Sequence, residues 1–146
     1  IARRLVILAS EDIGNADPRA LTLAISALQA VELVGMPEAR ICLAQATTYL
    51  ASAPKSNRAY LAINKAMEFV ERTGALPIPK ALRSSQTRLA KELGHGSGYL
   101  YAHDYPKGYA AQDLTPAEVK GEKFYEPSDR GFEKNLRQYL EWLKSN

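Results

Sequence analysis

The chain has 146 residues, with 19 Lys and Arg against 16 Asp and Glu, a net charge of +3. That length suits one domain (1–146) able to bury a core without disulfides or metal, and the single cysteine, Cys42, excludes an intrachain disulfide. No apolar run nears the roughly 18 residues of a membrane span. The short run Leu5–Ala9, between Arg3-Arg4 and Glu11-Asp12, lacks the form of a secretory leader.

A cytoplasmic protein with no membrane partner is therefore expected. Residues 1–79 carry +1 and residues 80–146 carry +2. Charge so evenly spread does not by itself mark a nucleic-acid surface. The chain opens directly in a helical pattern at Ile1, which suggests a segment of a longer protein.

A first helix is expected over about Arg3–Ile13, broken by Gly14-Asn15-Ala16. Within it, Arg4 and Glu11 would share a face as a solvated charged end. Asp17-Pro18 starts the second helix, with Asp as N-cap and Pro where no N–H is needed, and Gly35 ends it after Val34. A third helix runs from Pro37-Glu38 to about Ser52. A fourth runs from Ser56 or Asn57 to Thr73, where Gly74 stops it.

The fourth helix is two-faced. Asn57, Asn64, Lys65, Glu68, Glu71 and Arg72 form its polar side, and Tyr60, Ile63, Met67 and Val70 an apolar stripe expected to pack on a core. The second and third helices are apolar around most of their circumference. Such helices are buried on more than one side, as a central core or as a subunit interface. Leu21, Ile25, Leu28, Leu43 and Leu50 are the candidate oligomer-interface residues.

Ala75–Lys80 contains two prolines and cannot be helical throughout. A fifth helix is expected over about Arg83–Leu93, ended by Gly94-His95-Gly96-Ser97-Gly98. The helical body thus spans about 1–93, and an irregular extension about 94–127. From Tyr99 the extension holds six of the twelve aromatics, an argument against disorder and for packing on the body. Thr115-Pro116 offers one helical turn. The last helix, about 128–144, starts near Ser128-Asp129 and would bury Phe132, Leu136, Tyr139, Leu140 and Leu143. The fold class is all-α, a helical bundle with an aromatic extension before its last helix.

Catalytic patterns fail. No Gly-x-x-x-x-Gly-Lys-Ser/Thr string is present. Gly94–Gly98 follows a helix rather than a strand and has Tyr99 where a dinucleotide loop needs Gly. Ser97 has its glycines at 96 and 98, not two residues away on either side as a nucleophile elbow requires. His95, His103 and Asp104 lack metal-ligand spacing and read as helix stop and loop anchor. No catalytic residue, bound cofactor or metal ligand is therefore assigned. For nucleic acid or a partner protein, Tyr101, Tyr105, Lys107 and Tyr109 are the candidate contacts, since bases stack on aromatics beside positive charge. Asp104, Asp113, Glu118, Glu122 and Glu126 dilute that field.

The most specific strings are Ala-Ser-Glu-Asp-Ile-Gly-Asn-Ala-Asp-Pro (9–18), Leu-Ala-Gln-Ala-Thr-Thr-Tyr-Leu-Ala (43–51), Ala-Pro-Lys-Ser-Asn (53–57), Pro-Ile-Pro-Lys-Ala-Leu-Arg (77–83) and Tyr-Ala-His-Asp-Tyr-Pro (101–106). In this order they resemble the C-terminal region of the RarA/MgsA family, AAA+ ATPases of replication-associated recombination related to clamp loaders and to the Werner-helicase-interacting protein. Gln112-Asp113-Leu114-Thr115-Pro116 departs from the family's usual Gln-Gln-Tyr-Leu-Pro-like run.

The resemblance implies a helical oligomerisation domain of the clamp-loader C-terminal type that assembles a homotetramer. ATP and Mg²⁺ would be bound by an AAA+ module lying upstream of this chain. It further implies a nucleoid-associated parent ATPase acting at stalled replication forks, in recombination and repair, with DNA and single-strand-binding protein as partners. On that expectation the interface reading of the second and third helices gains weight. The alternative is a nucleic-acid or partner-protein module using residues 99–127.

Overall fold

The computed structural model describes residues 1–145, which are helical with no β-strand. Six α-helices follow one another: α1 Ala2–Leu8, α2 Arg19–Val34, α3 Ala39–Ser52, α4 Arg58–Thr73, α5 Arg88–Glu92 and α6 Glu133–Lys144. The all-α fold expected from the sequence is the fold found.

Contacts divide the chain into two compact units. The first comprises Ile1–Glu68 with Phe124–Glu141, the second Phe69–Lys123 with the residues from Trp142.

In the first unit α2 packs chiefly on α3, and α1 on α2. α1 runs straight into a wider π-helical turn, Ala9–Ile13, and a 3-10 turn, Gly14–Ala16. The wider turn changes the phase of the residues that follow it. Arg3, Arg4, Glu11 and Asp12 stay exposed, and none of them is ion-paired among the described residues.

α2 opens as its sequence suggests. Asp17 Oδ1 accepts the Arg19 N–H at 3.1 Å, the side-chain cap that Ser, Thr, Asn and Asp favour. Gly35 closes it at φ 71°.

The core is built largely from alanine: Ala9, Ile13, Ala20, Ala24 and Leu50 form its buried cluster, with Leu5, Val6, Leu8, Tyr49 and Ala53 against it. Ala20 and Ala24 lie one turn apart on α2, and Ala39 and Ala46 two turns apart on α3. Small side chains let helix backbones approach closely, so these faces turn inward and the bulkier ones outward.

The same rule corrects one expectation, and a buried carboxylate corrects another. On α4 the stripe Tyr60, Ile63, Met67 and Val70 is exposed, while Phe69 is buried and Ala59, Ala62 and Ala66 are half-buried. The inward face is the alanine–phenylalanine one, a step around the helix. On α6 only Leu136 and Leu143 of the expected apolar face are half-buried; Phe132, Tyr139 and Leu140 are exposed, and the fully buried residue is Glu133.

α6 also starts four residues later than Asp129. Gly131, at φ 50°, turns the chain so that the Phe132 N–H donates to Ala16 O at 2.8 Å. A Cβ at Gly131 would stand 2.1 Å from that oxygen, so only glycine fits.

In the second unit the expected fifth helix is shortened to Arg88–Glu92. Thr87 Oγ1 accepts the Ala90 N–H at 3.1 Å and starts the helix late, after a 3-10 turn at Lys80–Leu82. The Gly96 N–H donates to Lys80 O at 2.8 Å, closing the loop. Residues 99–123 hold only 3-10 turns, at Ala102–Asp104, Pro106–Gly108 and Ala117–Val119.

Order in this segment comes from side chains bonding the backbone. Gln112 donates from Nε2 to Leu100 O at 2.6 Å and accepts the Leu100 N–H at 2.9 Å, imitating one rung of a β-ladder. The run where the sequence departs from the RarA pattern thus begins with this clamp.

Candidate assembly surface

Two helices with small inward residues leave their larger apolar side chains outside. Leu21, Ile25, Leu33 and Val34 of α2 and Ile41 of α3 are exposed, Leu33 to 88% and Ile41 to 63%. Beside them α2 and α3 form a groove of about 590 Å³, lined by Leu23, Ala27, Ala30, Cys42 and Ala46 with Thr22, Ser26 and Gln45 at its polar edge.

Of the residues singled out from sequence, Leu21 and Ile25 lie on this open surface, and Leu28 and Leu43 are half-buried. Leu50 is 0% exposed and belongs to the core. It offers nothing to a second molecule, because the α3 face carrying Ala46 and Leu50 is the one turned toward α2.

The end of the groove is held by Asp17. Its Oδ2 accepts the Tyr49 hydroxyl at 2.5 Å and its Oδ1 the Arg19 Nε–H at 3.2 Å. Burial raises the Asp17 carboxyl pKa, but the bonds from Tyr49 and Arg19 outweigh this and hold it below its ordinary value. The same bond, with burial, pushes the Tyr49 phenol up. Asp17 therefore both caps α2 and ties it to α3.

A second polar anchor holds the start of α6. Glu133 has no exposed surface, yet four donors meet it. Ser56 Oγ and Ser128 Oγ donate to Oε2 at 2.7 and 2.5 Å, the Ser128 N–H at 2.9 Å, and Tyr125 OH to Oε1 at 2.8 Å. Asn15 Nδ2 in turn donates to Tyr125 OH at 3.1 Å. Burial pushes the Glu133 carboxyl up, and the bonds from Ser128, Ser56 and Tyr125 together bring it below its usual range. From sequence Ser56 and Ser128 were read only as helix starts, and neither Tyr125 nor Glu133 as an anchor. A glutamate amid α6's apolar positions was the one available signal.

The tyrosine segment has another character. Tyr101 is 56% exposed, and Tyr105 and Tyr109 are each somewhat over a third exposed. Lys107, at φ 65°, is directed at the end of α6. Its Nζ donates to Trp142 O at 2.8 Å and to Ser145 O, and lies 5.0 Å from the centre of the Trp142 ring. A cation at a helix C-terminus satisfies carbonyls that lack helical partners. The Tyr101 and His103 rings meet at a tilt of 48°, their centres 5.0 Å apart. Phe124 and Tyr125 are half-buried. Among the described residues no group of three His, Cys, Asp or Glu could hold a metal ion, and no helix is long and apolar enough to cross a membrane.

A family model described as MgsA AAA+ ATPase C terminal matches residues 1–144. The chain is 47% identical over 145 residues to the Replication-associated recombination protein A of Coxiella burnetii, covering 99% of this chain and 33% of that protein. It is 42% identical over 144 residues to the protein of the same name in Escherichia coli K12, covering 98% and 32%. The ATPase WRNIP1 of Dictyostelium discoideum is 42% identical over 127 residues, covering 86% of this chain and 14% of that protein. The chain spans about a third of the length of the first of these relatives.

Proposed function

The chain belongs to the MgsA AAA+ ATPase C-terminal family, and we propose that it serves there as the assembly domain, joining copies of the parent protein into a homotetramer through α2 and α3. Its role is geometric: assembly aligns neighbouring ATPase modules so that one subunit can complete the nucleotide site of the next, as an arginine finger does. ATP and Mg²⁺ bind the AAA+ module, and the parent acts on DNA in replication-associated recombination.

The observation that carries this reading is surface left uncovered. The chain exposes 10,552 Å². Apolar residues on α2 and α3 make up part of that surface, beside a groove suited to an inserted side chain.

The alternative, binding of nucleic acid or a partner through Tyr101, Tyr105, Lys107 and Tyr109, draws less support. The one cation among these four is already committed to the end of α6.

Light scattering of the purified chain across a tenfold concentration range tests the assembly reading. A constant mass near four times 16.1 kDa supports it. A monomer at every concentration refutes it and leaves the open surface to the ATPase module or another partner.

A further inference from the structure

Three arginines meet at the joint between the start of α4 and the start of α6. Arg58, Arg130 and Arg137 line a pocket of about 380 Å³ whose other walls are Ser56, Asn57, Leu61, Pro127, Ser128 and Asp129. The pocket is predominantly polar, unlike the α2–α3 groove. Among the described residues none of the three guanidinium groups forms an ion pair. Among the same residues the side chains of Arg58 and Arg137 have no hydrogen-bond partner, and Arg130 Nη1 donates only to Lys55 O at 3.3 Å.

Asp129 stands on the rim, and Glu133 lies behind Ser56 and Ser128, its charge occupied by four donors. Two carboxylates against three guanidiniums leave the site net positive.

We propose that this pocket is an oxyanion site for a phosphate group. Guanidinium forks match phosphate oxygens in pairs and shed water more readily than ammonium groups do. Three positive side chains line one hollow, and a phosphate there would offset their charge.

The walls are set before any ligand arrives. Ser56 and Ser128 are fixed through Glu133 Oε2, and the turn 128–131 is pinned by the Phe132 N–H on Ala16 O. Little backbone ordering is left for binding to impose, and its cost falls on the arginine side chains. The 16-residue helix α4 begins at Arg58 itself, adding its N-terminal dipole to the three charges. The site is independent of the assembly reading, because none of its residues lies on the open faces of α2 and α3.

A phosphate can come from a polynucleotide backbone or from a small free phosphate, and two probes separate these sources. The intact chain is titrated with inorganic phosphate and with a single-stranded oligonucleotide at fixed ionic strength, following backbone amide shifts by NMR. Arg58→Gln/Arg137→Gln is compared with the parent chain, with Arg88→Gln as control, since Arg88 pairs only with Glu92. All three side chains are exposed, and circular dichroism checks that the helices persist.

We expect shifts at residues 56–61 and 127–137, and affinity lowered about tenfold or more in the double variant while the control is unchanged. Tight oligonucleotide binding that phosphate competes away identifies the backbone as the source. Equal per-phosphate affinity for both probes identifies a free phosphate. No shift with either probe at millimolar concentration, or binding untouched by the double variant, overturns the site.

Discussion

Ser56, at the entrance to α4, donates its hydroxyl to Glu133, the first residue of α6, across 2.7 Å and 77 residues of sequence. The bond joins two helix starts through a carboxylate with no exposed surface. It explains why α6 begins with its acidic residue inward and much of its apolar stripe outward. A buried carboxylate is tolerable only when its oxygens are met by donors, and Ser56, Ser128 and Tyr125 meet them.

Replacing that carboxylate has a pH signature. The folded Glu133 carboxyl is held below its usual range, so the unfolded chain binds more protons as pH drops through the ordinary Glu value of about 4.3. The contribution is fully present above that value and is lost as pH falls through the folded one. Glu133→Ala, which orphans three side-chain donors, should cost about 3 kcal/mol at pH 7. Glu133→Gln should flatten the acid limb. Urea midpoints between pH 7 and pH 3 measure both, and an unchanged acid limb in Glu133→Gln would show that other carboxylates set it.

Gly131→Ala should be severe. Its Cβ would meet Ala16 O at 2.1 Å and Pro54 Cγ at 2.7 Å, at φ 50°, for a loss of about 3 kcal/mol or more. Gly35→Ala shares a positive φ but meets nothing within 4 Å, and should cost only about 1 kcal/mol. Thermal unfolding of the pair separates steric clash from backbone strain.

The Asp17–Tyr49 bond predicts coupling between two helices. Tyr49→Phe and Asp17→Asn should each destabilise the fold, with the double variant well short of additive. The Tyr49 phenol is raised in the fold. The stability from its bond therefore holds below the ordinary Tyr value of about 10 and fades as pH climbs through the folded value. Ultraviolet titration should show one tyrosine ionising later in the parent chain than in Asp17→Asn.

The open apolar surface separates assembly from folding. Leu21→Glu with Ile25→Glu should lower the mass seen by light scattering while leaving the helical signal intact, since both positions are exposed in the single chain. Leu50→Ala should instead cost about 2–5 kcal/mol by opening a cavity in the buried cluster. A double glutamate variant that keeps the parent's mass would move the interface off this face.

Much of the helical order was legible in local chemistry. Asp17, Gly35 and Gly74 are caps or stops whose effect spans a few residues, and α2, α3 and α4 begin and end within about two residues of the positions they suggest. α5 and α6 were read too long. Thr87 competes for the backbone inside the first, and Gly131 bends the chain before the second. Neither effect shows in apolar periodicity. The Glu133 anchor was not legible, because Ser56, Tyr125 and Ser128 are polar residues of ordinary kind that only folding brings together.

By itself, then, the sequence determined that this protein is helical, where most of its helices start, and which family it joins, because caps, glycines and ordered strings act over short spans. Which face of each helix turns inward was decided only by the tertiary structure. Periodicity reports that a helix has an apolar side; it does not report that alanine faces, by packing closer, claim the core and leave Tyr60, Ile63, Met67, Leu21 and Ile25 outside. Burial is settled between helices, and no single stretch of sequence contains both partners.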